Sequence, residues 1–237
     1  MPNPSAKPRK VELADHLRRA ILTTELPPGA DLDESALCAQ VELSRTPLRE
    51  VFRELAGEGF VDLREMRSAR VAELSHTTLR DFFLAAPMIY GAILRLAALN
   101  ATDIQVASLR KAQEAFRETL QGQDVAARAL ANNRFHEVTG QMAANRYLLP
   151  SFQRLLIDHA RISMTFYRPR NSEMAENLTQ AADQHDAIIK AIAKGNANKA
   201  EKLAVDHWNL SRGQIELFVM PTALDVPMGT FSRNTSA

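Results

Sequence analysis

Three of the six histidines can be brought together by chain geometry alone. Gly195-Asn196 reads as a turn between two helices. His185 lies eleven residues before Asn196 and His207 eleven after, so an antiparallel hairpin sets them level. Asn132 and His136 stand at i and i+4, on one face of an earlier helix. Three imidazoles and an amide oxygen make a donor set suited to Zn²⁺, Ni²⁺ or another borderline divalent ion, with room for a further ligand. The same spacing also fits three unrelated histidines on separate helix surfaces, and spacing does not separate the two readings. His16, His76 and His159 show no comparable relation.

A second row of chemistry lies near the N-terminus. Arg45, Arg49 and Arg53 follow at i, i+4 and i+8, while Leu48, Val51, Phe52 and Leu55 form an apolar stripe at helical spacing. At about 100° per residue the arginines sit roughly 110° round the helix from that stripe. Pro47 fits in a first helical turn, and Ser44 and Thr46 are candidate caps for the N–H groups there. Such a helix, predicted over 44–55, can lay its arginines in a DNA major groove. It can also be an ordinary surface helix with a solvated charged face.

The elements around these residues must do the positioning. A chain of 237 residues, 46 % apolar and 24 % charged, predicts a water-soluble protein of two domains. No stretch approaches the roughly 18 uncharged apolar residues of a membrane span. The N-terminus MPNPSAKPRK has no apolar signal core. These features predict a cytoplasmic protein with no membrane partner. The single cysteine, Cys38, excludes an intramolecular disulfide and reads as buried filler. Net charge is +1, and residues 1–75 hold eleven lysines and arginines against thirteen acids, so DNA binding there would rest on a narrow basic stripe.

Three prolines and three basic residues predict a disordered tail over 1–10. A helix follows over 11–24 and is stopped by Pro27-Pro28-Gly29. A short helix over 34–40 and a tight turn lead into the arginine helix, the arrangement that presents a second helix to DNA. Two strands, 60–63 and 69–72, would flank a wing at 64–68. The winged unit thus spans 11–75. From residue 77 onward, apolar residues recur at helical spacing over 77–99, 104–120, 125–143, 148–166, 175–193 and 197–219. Pro87 predicts a kink or break in the first of these helices. A helical domain over 76–220 and a tail over 221–237 complete the expected organisation, with the polar segment 73–78 (ELSHTT) as a hinge.

The run PPGADLDESALCAQVELSRTPLREVFRELAGEGFV resembles the winged helix-turn-helix of GntR-family transcription regulators. The resemblance covers about residues 9–73 and rests on a Pro-Gly turn, SRTPLRE and the closing L-x-x-E-G-F-V. It implies DNA contact by Ser44, Arg45, Thr46 and Arg49, with a wing contact near Arg67. Ser35 departs from an arginine common in the family, and Ser68 from a wing-tip glycine that would permit φ > 0.

The rest of the chain resembles the FCD domain of the FadR-type branch, in NNRFHEVTGQMAANRYL, HDAIIKAIAKGNANKAE and the later His207. That resemblance implies metal ligation by Asn132, His136, His185 and His207. Asn132 replaces the usual aspartate, so the site would carry one negative charge fewer and hold its cation more weakly. Asp183, Asp186 and Asp206 are candidate second partners for the histidines. Ala86 and Tyr90 stand where the family has an arginine and a glutamate in its first domain helix. The effector contacts are therefore assigned to Tyr90, Arg134, Asn145 and Arg161. The combined expectation is a mainly α protein: an N-terminal winged helix-turn-helix joined to a C-terminal all-α bundle. It would act as a homodimeric regulator, usually a repressor, of an inverted-repeat operator in double-stranded DNA. Its small-molecule effector would be an organic acid. The alternative is a metal-dependent enzyme built on the bundle, since an open three-histidine site also suits metal-assisted hydrolysis.

Overall fold

The computed structural model describes residues 6–64, 69–164, 166–169 and 171–219. The N-terminal unit begins with α1 (Ala6–Leu22). Half of the tail predicted as disordered is therefore helical. Leu13, Leu17 and Ile21 recur along one face of α1 and are buried. The two-residue strand β1 (Asp31–Leu32), absent from the sequence expectation, precedes α2 (Glu34–Val41). Asp33 caps α2 by accepting from the amides of Ser35 and Ala36.

The arginine helix α3 spans Arg45–Glu58. Ser44 occupies its N-cap position with extended backbone, but its hydroxyl makes no capping bond. Gly59, at φ 92, ends the helix in a left-handed turn that a β-carbon would strain. The predicted stripe of Leu48, Val51, Phe52 and Leu55 is fully buried against α1. β2 (Val61–Leu63) and β3 (Ala69–Val71) then form the wing strands. The antiparallel sheet runs β1-β3-β2, with Asp31 paired to Arg70 and Leu32 to Ala69. The guanidinium of Arg70 also grips both carboxylate oxygens of Asp31, at 2.6 and 2.8 Å.

The second domain consists of α4 (His76–Asn100), α5 (Asp103–Leu120), α6 (Val125–Ala143), α7 (Leu148–Ser163), α8 (Ser172–Ala193) and α9 (Ala197–Val219). Caps fix where these helices start. Ser75 accepts from the Thr78 amide, Thr102 and Gln105 form a reciprocal capping box, and Asp124 and Asn171 cap α6 and α8. α4 runs through Pro87 as one helix, so of the expected kink or break the break does not occur. It packs against α6, α7, α8 and α9 at the centre of the bundle. By length and composition α4 is apolar enough to cross a membrane, although Arg80, Asp81 and Arg95 keep it from being one uncharged run. Its buried Phe82, Tyr90, Ile93 and Leu94 supply the domain core instead.

The segment 73–78 is not a free polar hinge. Helix α4 starts inside it, at His76. The two domains also share apolar contacts, since Ile157 and Ala160 of α7 join the core formed by α1 and α3.

Candidate metal centre and nucleic-acid interface

Burying one face of α3 determines what the other presents. Ser44, Arg45, Thr46 and Arg53 are exposed at and along this helix, as a groove-reading element requires. Arg49 is different. It is half-buried and donates to Glu34 on α2 at 3.3 Å, linking the two helices of the motif. Its Nε and the other Glu34 oxygen are buried without a partner. Arg49 must therefore give up or share Glu34 to reach a base edge. The wing residue Arg67 lies outside the described residues, as does Ser68.

In the bundle the hairpin of α8 and α9 sets His185 and His207 side by side, with their Nε2 atoms 3.2 Å apart. The tautomer of His185 is fixed from outside. Gln113 on α5 donates its amide to the Ala182 carbonyl at 2.7 Å, so its oxygen faces His185 Nδ1 at 2.9 Å. That nitrogen must be the donor, which leaves Nε2 with a bare lone pair. His207 Nδ1 lies 2.9 Å from the side-chain oxygen of Gln184. His207 Nε2 either donates to that lone pair or, with its proton on Nδ1, turns a second lone pair toward it that a shared cation would bridge. Two nitrogens on a tetrahedral Zn²⁺, each about 2.0–2.1 Å from it, would sit about 3.3 Å apart.

His136 completes the group. The ligand nitrogens of His136, His185 and His207 all lie within 4.8 Å of one another. Both ring nitrogens of His136 are buried without a hydrogen-bond partner, a costly condition for a polar ring. Asn132 is buried one turn before it on α6. Burial, followed by the charges of His159 and His207, holds the His136 pKa well below the ordinary imidazole value. Burial, followed by the neighbouring imidazoles, does the same to His185, and burial lowers His207 to about 4. All three rings are therefore neutral near pH 7, the form that binds a metal. These residues fit a divalent ion.

His159 also belongs to this centre, contrary to the reading from spacing. Its ring lies 5.5 Å from that of His136, and its Nδ1 meets the Tyr90 hydroxyl at 2.5 Å. Tyr90 sits edge-on to His136 at 5.3 Å, and burial raises its phenol pKa so that it remains a donor. The Nε1 of Trp208, whose ring contacts Tyr90 and His159, is buried without a partner.

The other candidate effector residues are not brought to the histidines. Arg134 is exposed and pairs with Glu137 at 3.1 Å. Asn145 shapes the turn into α7, accepting from the amides of Tyr147 and Leu148. Arg161 is buried, but it points to the winged domain, where it donates to the Ala72 carbonyl at 2.6 Å and pairs with Asp158. Asp183 and Asp186 serve Arg117, and Asp206 is exposed. Gln113 and Gln184 do the work expected of those acids. The hairpin arithmetic that aligned His185 with His207 also brings Gln184 level, whereas nothing local marks Gln113, 72 residues from its partner. A cleft of about 560 Å³ lies away from the histidines, between the domains, where Arg18 and Glu58 face Glu137 and Gln153.

An exposed arginine helix on a winged unit, carried by a helical domain with a histidine interior, defines a DNA-binding transcription regulator. The family model for bacterial regulatory proteins of the gntR family matches residues 9–71, and that for the FCD domain matches residues 87–210. The chain is 31 % identical to the "Probable D-xylose utilization operon transcriptional repressor" of Paenarthrobacter nicotinovorans, over 83 % of this chain and 84 % of that one. It is 25 % identical to the HTH-type transcriptional repressor RspR of Escherichia coli K12, over 81 % and 82 %. The solved structure of E. coli McbR/YncC has the same fold, with a TM-score of 0.74 at 16 % identity over 89 % of this chain and 98 % of that one. The chain belongs to the GntR family of transcription regulators and carries an FCD domain. These are regulators and not enzymes, which sets aside the hydrolytic alternative.

Proposed function

We propose that the protein is a cytoplasmic, homodimeric repressor whose affinity for an inverted-repeat operator is set by a small organic acid. That acid would bind beside a divalent ion in the helical domain. His136, His185 and His207 would hold the ion, with Asn132 as a neutral oxygen donor, and Zn²⁺ or Ni²⁺ suits this nitrogen-rich set. The ion would supply a positive point able to accept a carboxylate oxygen. Tyr90 and His159 border the centre, and the Trp208 N–H is a free donor near them. Ser44, Arg45, Thr46 and Arg49 would read the major groove, with Arg67 on the wing.

The observation that carries this reading is the pair of unpartnered, buried His136 nitrogens beside the facing Nε2 atoms of His185 and His207. Two-fold symmetry in the operator follows from two copies binding one duplex. On α4, Leu84 and Met88 are exposed one turn apart, an apolar face that a second copy can cover.

The test is selection of duplexes from a random pool by the Zn²⁺-loaded protein. Affinity for the selected duplex is then measured against a panel of di- and tricarboxylic acids. The expected result is an inverted repeat and an acid that changes its affinity. Recovery of no preferred sequence would contradict the reading, and indifference to every acid would contradict its effector class.

A further inference from the structure

Helix α7 carries two different contacts on opposite faces. His159 faces the histidine interior and holds the Tyr90 hydroxyl, and Phe152, two turns earlier, packs edge-on to the same Tyr90 ring at 5.0 Å. Ile157 and Arg161 lie about 160° round the helix from His159, at 3.6 residues per turn. On that side Ile157 enters the apolar core of the winged domain, joined by Ala160 about 100° round the helix from His159, and Arg161 holds the Ala72 carbonyl, one residue beyond strand β3.

This second contact is buried, with both terminal nitrogens of Arg161 bonded and its Nε left without a partner. The Arg161 side chain is fully buried and that of Asp158 is 7 % exposed, and the two pair within one helical turn. Taking a guanidinium out of water for a single backbone carbonyl is unfavourable unless its charge is met, and Asp158 meets it. Helix ends and loops flex, but a helix moves as a rod. His159, Ile157 and Arg161 thus share one rod, α7, and Tyr90 reaches it through the bond to His159.

We infer that Asp158 and Arg161 are positioning residues: through the Ala72 carbonyl they clamp the DNA-reading domain to α7, the strut that joins it to the histidine centre. This deepens the proposed control of DNA binding and rests on it. The clamp acts on the orientation of α3 and touches neither metal ligands nor the groove-facing arginines. It also assigns Arg161 a role other than effector contact.

A double-mutant cycle on the full chain tests this, run in chelator so that it does not depend on metal. Removing Arg161 alone would leave Asp158 charged and unpaired in the interior, so both are neutralised together as Asp158→Asn/Arg161→Met. Tyr90→Phe deletes the hydroxyl bond to His159 and is made in the parent and in the pair-neutralised protein. The readouts are affinity for the selected duplex and amide exchange in α3. Tyr90→Phe should shift affinity by about threefold or more in the parent and by much less once the pair is gone. An equal shift in both backgrounds, or none in the parent, overturns the inference. Should the pair-neutralised protein fail to fold, Arg161→Lys replaces it, since an ammonium keeps the charge but lacks the fork that spans Asp158 and Ala72. Should no duplex be selected, the proposed function fails separately, and α3 exchange decides the inference by the same criterion. Zn²⁺ uptake measured in parallel should be unchanged by the pair substitution, which separates loss of coupling from damage to the metal centre.

Discussion

The two domains place their chemistry on opposite sides of their own surfaces. The winged domain keeps an apolar core of Leu13, Leu17, Ile21, Leu48, Val51 and Phe52, and turns Ser44, Arg45, Thr46 and Arg53 outward. The bundle does the reverse. His136, His159 and His185 are interior, beside Tyr90 and Trp208. A surface that meets a polyanion needs charges kept in water until the moment of contact. A site that holds a cation needs neutral, dry donors with fixed tautomers, and Gln113 supplies that fixing for His185. The contrast teaches where each domain is vulnerable: the first in its apolar core, the second in its polar one.

The largest effect should come from reversing the polarity of the winged core. Leu48 is fully buried, so Leu48→Asp sets a charge among Val51, Phe52 and Leu17 and should cost more than about 4 kcal/mol. Amide exchange in α1 and α3 should rise to unfolded rates while α5 and α8 remain protected. Loss of protection in α5 and α8 as well would show that the two cores are not separately organised, and retained protection in α3 would show that Leu48 is not essential to the winged core.

Next in size is removal of metal. Saturating Zn²⁺ at about a thousand times its Kd stabilises a one-site protein by roughly 4 kcal/mol. Chelator should therefore lower the melting temperature of the parent and leave that of His185→Ala unmoved. The double variant His185→Ala/His207→Ala should lose no more of the metal-dependent stabilisation than either single variant. Additive losses would mean that the histidines act separately.

Outward-facing residues should matter to DNA and not to folding. Arg45→Ala should weaken binding to the selected duplex by about 1–3 kcal/mol, with melting unchanged. Arg49→Ala should cost less, because Arg49 already spends part of its hydrogen-bonding capacity on Glu34. Equal losses for the two would show that the Glu34 contact does not compete with DNA.

The smallest expected effect is a gain. Asn132→Asp adds a carboxylate beside His136 and should tighten Zn²⁺ binding by on the order of 1 kcal/mol, read by competition with a chromogenic chelator. Unchanged affinity would remove Asn132 from the ligand set.

How far the sequence could be read follows the same division. The winged domain was legible because its signals are local: an apolar stripe at helical spacing, a turn at Pro27-Pro28-Gly29, a glycine at position 59. Helix limits in the bundle were legible for the same reason, and 125–143 and 197–219 agree with α6 and α9 end to end. His185 and His207 could be paired because one turn relates them. His159 and Gln113 could not, since their partners come from helices remote in sequence and only packing brings them in. The effector arginines proposed from sequence lie away from the histidines for a related reason. Composition says that a guanidinium is present, but burial and partners decide that Arg134 meets Glu137 at the surface and Arg161 meets Asp158 between the domains. The hinge was misjudged because a polar segment reads as a linker, while the Ser75 cap starts a helix within it.

The most direct test of the account is the metal stoichiometry of the bundle. Protein stripped with chelator and dialysed against Zn²⁺ should retain one ion per chain, and His136→Ala, His185→Ala and His207→Ala should each retain none while keeping their helical content. One ion per chain in all three variants would contradict the account, as would a parent that retains none.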